Sequence, residues 1–244
     1  MKLKAKFSHI KKSYVIILVG GVIIGAGLIV LQNVLAIKSI VVTPSSRTDT
    51  VKIQSIRGIT SLYNKNLLLL SIASVKTELE QNNPTIKDVV IEKQYPHRVL
   101  ITAVFYNPIA YLKVNNGYFL LSDDGKILKK TKTVENASIP IINYYQQLDY
   151  LGFQSGDVIS YLDVKTSLKL LVSLLDLGFI INNIDISGFS MIVLNSKDKR
   201  FVFTTEKDVS EQEYQFSAIV RKFRTEGKDF KSLDLRFDKP VISL

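Results

Sequence analysis

The chain has no cysteine, no tryptophan, two histidines, and no acidic residue before Asp49. Without cysteine it can form neither a disulfide framework nor a thiolate site for catalysis or metal. The histidines are far apart: His9 lies in a basic N-terminal tail, and His97 sits in a proline-containing turn where a plain surface role is the ordinary one. There is no G-x-S-x-G, no phosphate-cradling glycine loop and no H-x-x-H pattern. Internal repeats, low-complexity tracts and Gly/Ser linkers are missing as well. These absences predict a protein that is not an enzyme and needs no cofactor or metal. A hydrolytic site assembled only by folding, from a Ser/Lys or carboxylate pair, stays open. Asp123-Asp124 precede Gly125 with no third acidic ligand nearby and read as a turn.

The formal charge of +10 invites a nucleic-acid reading until it is divided along the chain. Residues 1–48 hold seven basic groups and no acid, whereas residues 49–244 hold 25 basic and 22 acidic groups. The basicity therefore reports topology and attraction to anionic inner-leaflet lipid, and no nucleic-acid partner is expected.

What the chain does have is an uncharged run at residues 14–37, YVIILVGGVIIGAGLIVLQNVLAI. At a rise of about 1.5 Å per residue, a helix of this length reaches about 36 Å, enough to cross a hydrocarbon core of about 30 Å. A cleaved signal peptide is the rival reading, but the run is longer than such apolar segments and ends without an A-x-A site. Lys2, Lys4, Lys6, Lys11 and Lys12 precede it, and basic flanks of a first membrane helix stay in the cytoplasm. Residues 1–13 thus read as a cytoplasmic tail, 14–37 as a single transmembrane helix, and the remainder as extracytoplasmic. Gly21 and Gly25 have a spacing that lets two membrane helices approach, although glycine is common in such helices.

Beyond the run, residues 37–42 read as a strand broken by Thr43-Pro44, and residues 48–59 carry a weak helical signal. A clearer helix is capped by Ser71, carries Ile72, Val75 and Leu79 on one face, and is stopped by Asn82-Asn83-Pro84. Strands at residues 86–92 and 98–105 follow, the second placing Val99, Ile101, Ala103 and Phe105 on one face. From Pro108 onward the pattern predicts a hairpin at residues 110–121 around Asn115-Asn116-Gly117. A helix with the face Leu168, Leu171, Val172 and Leu175 should end at Gly178. Short strands are expected at residues 184–186, 191–194 and 200–203. Ser210 and Glu213 should form a capping box opening a helix with the face Phe216, Ile219, Val220 and Phe223, before a final strand at residues 232–237. Tyr144, Tyr145, Tyr150 and Phe153 could pack over the sheet or form a glycan-binding face.

The ordered set Asn83-Pro84, Val89-Val90-Ile91, Tyr95-Pro96, Val99-Leu100-Ile101 and Asn107-Pro108-Ile109-Ala110-Tyr111 resembles the POTRA domain of the bacterial cell-division family FtsQ/DivIB. Leu121-Ser122-Asp123-Asp124-Gly125, Ile139-Pro140 and Leu233-Asp234-Leu235-Arg236 extend the similarity. The chain departs from the pattern at Asn107, where the family commonly has an acid, and at Thr43-Pro44. The resemblance implies an α+β chain: a single N-terminal transmembrane helix, a POTRA domain (βααββ) at residues 38–106, and a mainly β domain with helices on one side at residues 107–244. It also implies a non-enzymatic scaffold in the cytoplasmic (inner) membrane at the division septum, binding FtsB/DivIC-like and FtsL-like proteins and linked to septal wall synthases. A membrane-anchored glycan-binding module and an envelope hydrolase are the alternatives.

For a scaffold, the final strand is the candidate docking edge. Leu233, Leu235 and Phe237 should face the core, Asp234 and Arg236 outward, with Val241 and Ile242 offering an apolar contact beyond. The rival is that Asp234 and Arg236 only protect an exposed edge from aggregation. The topology predicts that protease added to intact spheroplasts digests the exterior chain and spares residues 1–13; protection of both ends would rule it out.

Overall fold

The computed structural model describes residues 33–44, 56–188 and 190–244. The basic tail, the apolar run as far as residue 32 with Gly21 and Gly25, and the weak helical stretch as far as residue 55 lie outside the described residues. Among the described residues no helix is long and apolar enough to cross a membrane. The chain divides into two compact units, Met1–Phe105 and Tyr106–Leu244.

In the first unit, β1 (Ser39–Pro44), a 3-10 turn (Ile59–Leu62), α1 (Ile72–Asn82), β2 (Ile86–Gln94) and β3 (Arg98–Phe105) follow in order. The sheet order is β1-β3-β2, with β1 parallel and β2 antiparallel to β3. Alternation builds it: Val99, Ile101, Ala103 and Phe105 are buried, and the residues between them are not. The expected break at Thr43-Pro44 does not occur, because β1 is an edge strand and a missing N–H is tolerated there. Ser71 caps α1 as expected, accepting from Ser74 N at 3.3 Å. Val75 and Leu79 enter the core but Ile72 stays exposed, so the buried face begins one turn later than its spacing suggested.

Asn83 explains why the helix stops where it does. Its carboxamide donates to Leu79 O at 2.7 Å and to Arg57 O at 3.0 Å, and accepts from Arg57 N at 2.8 Å. One buried side chain thereby satisfies a terminal helix carbonyl and pins a distant loop.

The end of the predicted span requires correction. Leu67 N donates to Leu35 O at 2.8 Å, Ile37 N to Lys65 O at 3.0 Å, and Asn64 N to Ile37 O at 3.0 Å. Ile37 is fully buried in the core of this unit. Residues 35–37 are therefore part of the folded unit, because an apolar residue satisfies a hydropathy window equally well in lipid or in a protein core.

The second unit contains β4 (Ala110–Val114), β5 (Gly117–Leu121), β6 (Ile127–Thr131), β7 (Ile141–Tyr144), α2 (Leu162–Asp176), β8 (Ile181–Ile186), β9 (Ile192–Ser196), β10 (Arg200–Phe203), α3 (Val209–Thr225), β11 (Ser232–Asp234) and β12 (Val241–Ser243). Its strands form one nine-stranded sheet in the order β12-β11-β10-β9-β8-β7-β4-β5-β6. Register aligns a single row of apolar residues across eight of them: Phe119, Leu112, Ile142, Ile184, Leu194, Phe201, Leu233 and Ile242. The first seven are fully buried. Helices α2 and α3 cover this face, with Phe216 of α3 packed against Phe201 and Phe203 at centroid distances of 5.5 and 6.0 Å.

Several local expectations shift. The hairpin loop is Asn115-Asn116, and the positive φ falls on Gly117, the first residue of β5, where a Cβ would meet Thr131 O at 2.4 Å. In α2 the buried face is Val164, Leu168, Leu171 and Leu174, leaving Leu175 exposed; buried Ser167 donates to Val164 O within the helix, and Ser173 donates to Glu213 of α3. Gly178 ends that helix with φ 81°, and Phe179 N returns to Leu174 O at 3.0 Å. The expected capping box is replaced by Asp208, whose carboxylate accepts from Ser210 N at 2.8 Å and Glu211 N at 3.1 Å, while Glu213 reaches Ser173 across to α2.

A fragment of residues 33–105 is expected to fold alone and give dispersed amide resonances. Removing residues 33–37 from it should cost at least about 1.5–3 kcal/mol, the burial of one Ile side chain, measured by urea unfolding of the two fragments.

Candidate partner-binding edge

Strand β11 continues the apolar row with Leu233, and it ends at Asp234, earlier than alternation alone suggested. Arg236 N donates to Asp234 Oδ1 at 3.1 Å, turning the chain immediately after the strand. The guanidinium then closes on the same carboxylate, with Nε 3.0 Å from Oδ1 and a terminal nitrogen 2.7 Å from Oδ2. Its other terminal nitrogen lies 3.4 Å from Met191 Sδ, and its carbon lies 5.4 Å from the Phe237 ring centroid. Leu235 is buried, with its N–H donating to Val202 O at 2.9 Å, but Phe237 is 53% exposed.

Two expectations are corrected here. The segment at residues 232–237 is not the edge of the sheet: β11 lies between β10, which it joins in parallel, and β12, which it joins antiparallel. Arg236 also pairs within the chain, because Asp234 engages Nε and one terminal nitrogen of its guanidinium. The outermost strand on this side is β12, in register with β11 so that Val241 stands opposite Asp234 and Ile242 opposite Leu233. Val241, Ile242 and Ser243 are all exposed, and Ile242, the last member of the apolar row, is 36% exposed. Sequence alternation missed β12 because Pro240 and the charged Asp238-Lys239 conceal a three-residue strand.

Electrostatics favour the ionised fork. Burial would raise the Asp234 carboxyl, but the hydrogen bonds from the Arg236 side chain and backbone, with the nearby Arg236 and Arg200 charges, outweigh it and hold the group below the usual carboxylate range.

Elsewhere the second unit carries a polar cluster that sequence reading did not single out. Asp185 accepts from Asn143, Asn183 and Asn195, each at 2.8 Å. Asn143 and Asp185 are in register, as are Asn183 and Asn195, on the face opposite the helices. Asn143, Asp185 and Asn195 of this cluster line an open depression of about 600 Å³ with Tyr145, Met191 and Arg200. Tyr150 and Phe153 pack against Phe119, both at 5.8 Å between centroids, so these two rings cover the sheet. Tyr144 donates to Asp163 at 3.3 Å, and burial beside that carboxylate pushes its hydroxyl above the ordinary tyrosine value. Asp124 is spent on its turn, accepting from the Ser122 hydroxyl and from Lys126 N. His97 lies in the β2–β3 turn, where its carbonyl accepts from Lys38 N at 2.9 Å and so ties the start of β1 to that turn. Among the described residues no group of three or more His, Cys, Asp or Glu side chains could hold a metal.

Residues 35–104 match the family model described as "POTRA domain, FtsQ-type". No curated protein matches the chain. A solved structure it matches is the major extracytoplasmic domain of the trans isomer of the bacterial cell division protein DivIB from Geobacillus stearothermophilus, at 15% identity, over 49% of this chain and 95% of that one, with a TM-score of 0.31.

Because Asp234 titrates below its usual value, the fork contributes stability above the ordinary carboxylate pKa of 3.8 and loses it as pH falls through the lower folded value. Arg236→Gln is expected to lower stability by about 1 kcal/mol near neutrality. That difference should disappear in acid, below the folded pKa of Asp234, in chemical unfolding of the two proteins side by side.

Proposed function

We propose that this chain, whose residues 35–104 match an FtsQ-type POTRA domain, is a member of the FtsQ/DivIB family and acts as a non-enzymatic division scaffold anchored in the cytoplasmic membrane. Its apolar run is the single membrane-spanning helix, its N-terminus is cytoplasmic, and both units stand outside. It recruits FtsB/DivIC-like and FtsL-like proteins at the septum and links them to wall synthesis.

One observation carries this reading to a surface. The apolar row crossing the sheet is sealed by seven buried members and ends at Ile242 on an outermost strand. A partner strand laid antiparallel or parallel to β12 would extend both the backbone ladder and the row, burying Ile242 as its inner neighbours are buried. Val241, exposed on the same strand, adds apolar surface at this edge. Asp234 and Arg236 act here by fixing the turn that presents β12, and Arg236 retains donors at the rim for a partner carboxylate.

The test is capture of an FtsB/DivIC-like partner by the full chain and its variants. Ile242→Pro should abolish strand addition, and Ile242→Asp should weaken capture by about 1–3 kcal/mol if the contact becomes buried. Arg236→Glu should weaken it by less, as a rim contact does. Circular dichroism would establish that each variant is folded. Undiminished capture by folded Ile242 variants would move the partner surface away from β12.

A further inference from the structure

The run Leu67-Leu68-Leu69-Leu70 in the first unit is split by the fold. Leu67 and Leu70 are buried in the core, whereas Leu68 is 55% and Leu69 79% exposed. The turn presenting them is specified by Asn66, whose side-chain oxygen accepts from Leu68 N at 2.9 Å and from Leu69 N at 3.3 Å. Its backbone donors are thus satisfied, and two large apolar side chains are held out on a fixed tip. Tyr63, exposed on the preceding turn, adds an amphipathic ring.

The position of this tip gives it meaning. Ala36 bridges Asn66, and Leu67 N donates to Leu35 O at 2.8 Å. The tip is therefore tied directly to the point where the chain leaves the apolar run, two residues after Asn33. Its charged neighbours are basic. Lys65 is exposed, and Lys93 Nζ donates to Leu68 O at 3.1 Å. Residues 56–77 contain no acid, and Glu92 alternates to the other side of β2 from Lys93.

We propose that this tip is a second membrane contact: Leu68 and Leu69 insert at the lipid interface beside the chain's own spanning run, Tyr63 sits at headgroup level, and Lys65 and Lys93 meet anionic headgroups. The inference rests on the reading of residues 14–34 as a membrane anchor. Apolar residues flanked by tyrosine and lysine at a bilayer boundary are the arrangement that interfacial partitioning favours. Two points of attachment, the anchor and the tip, fix the orientation of the first unit on the membrane, which a single flexible exit would not.

The absence of native cysteine makes a site-specific test direct. The full chain carrying Leu69→Cys is spin-labelled and reconstituted in vesicles of phosphatidylethanolamine and phosphatidylglycerol, with Val34→Cys and the exposed Tyr214→Cys of the second unit labelled separately. Collision with oxygen is compared with collision with a water-soluble nickel chelate. The expected result is an oxygen-to-nickel ratio several-fold higher at position 69 than at position 214, matching that at position 34. A water-like ratio at position 69 with an interfacial ratio at position 34 would overturn the tip contact and leave the anchor standing. Water-like ratios at both would overturn the contact together with the anchor. Protection of position 69 from both reagents, with dipolar broadening that grows with protein density, would assign the tip to a second copy and overturn the lipid contact.

Discussion

The second unit depends on one constraint: register. Eight strands place Phe119, Leu112, Ile142, Ile184, Leu194, Phe201, Leu233 and Ile242 in line, and the helices lie over that line. A slip of one residue anywhere would turn a strand's whole apolar set to the opposite face. At β7, β8 and β9 the opposite face resists such a slip, since Asn143, Asn183, Asp185 and Asn195 are held there by one carboxylate and three carboxamides. The polar cluster and the apolar row are complementary statements of the same alignment, one favouring it and the other penalising alternatives.

Much of this was legible in the sequence, and the failures have specific causes. β3 and β10 were bounded correctly because alternation is a local property of the chain. The face of α2 was misread at Val172 and Leu175 because a helix chooses its buried stripe by what it packs against. Buried Ser167, with its hydroxyl donating to Val164 O at 2.7 Å, cannot be distinguished in sequence from an exposed serine. The capping box failed for a related reason. Asp208 and Ser210 both precede an apolar run; in the fold Asp208 caps, and Glu213 accepts instead from the Ser173 hydroxyl of α2, a tertiary bond that local spacing does not reveal.

The candidate site shows how far alternation reaches. It placed Leu233 and Leu235 inward correctly, then continued to Phe237 although the strand had ended. The end is set by Asp234 and Arg236, whose fork turns the chain. From sequence these two residues read as outward charges awaiting a partner; in the folded chain they are each other's partner. The edge they create is one strand further on, where three residues between Pro240 and Leu244 are too few to carry a periodic signal.

Two of the exposed apolar features among the described residues, Leu68-Leu69 and β12, differ in what their backbones require, and that difference suits them to different kinds of partner. At Leu68 and Leu69 the N–H groups are already bonded to Asn66, so the turn presents apolar side chains without a demand for hydrogen bonds. Such a surface suits hydrocarbon, which offers no donors or acceptors. At β12 the situation is reversed. Its inner side is paired with β11, while on its outer side no further strand follows among the described residues. Lipid cannot satisfy those peptide groups; another strand can, and Ile242 at the end of the row adds an apolar contact that fixes which register pays best.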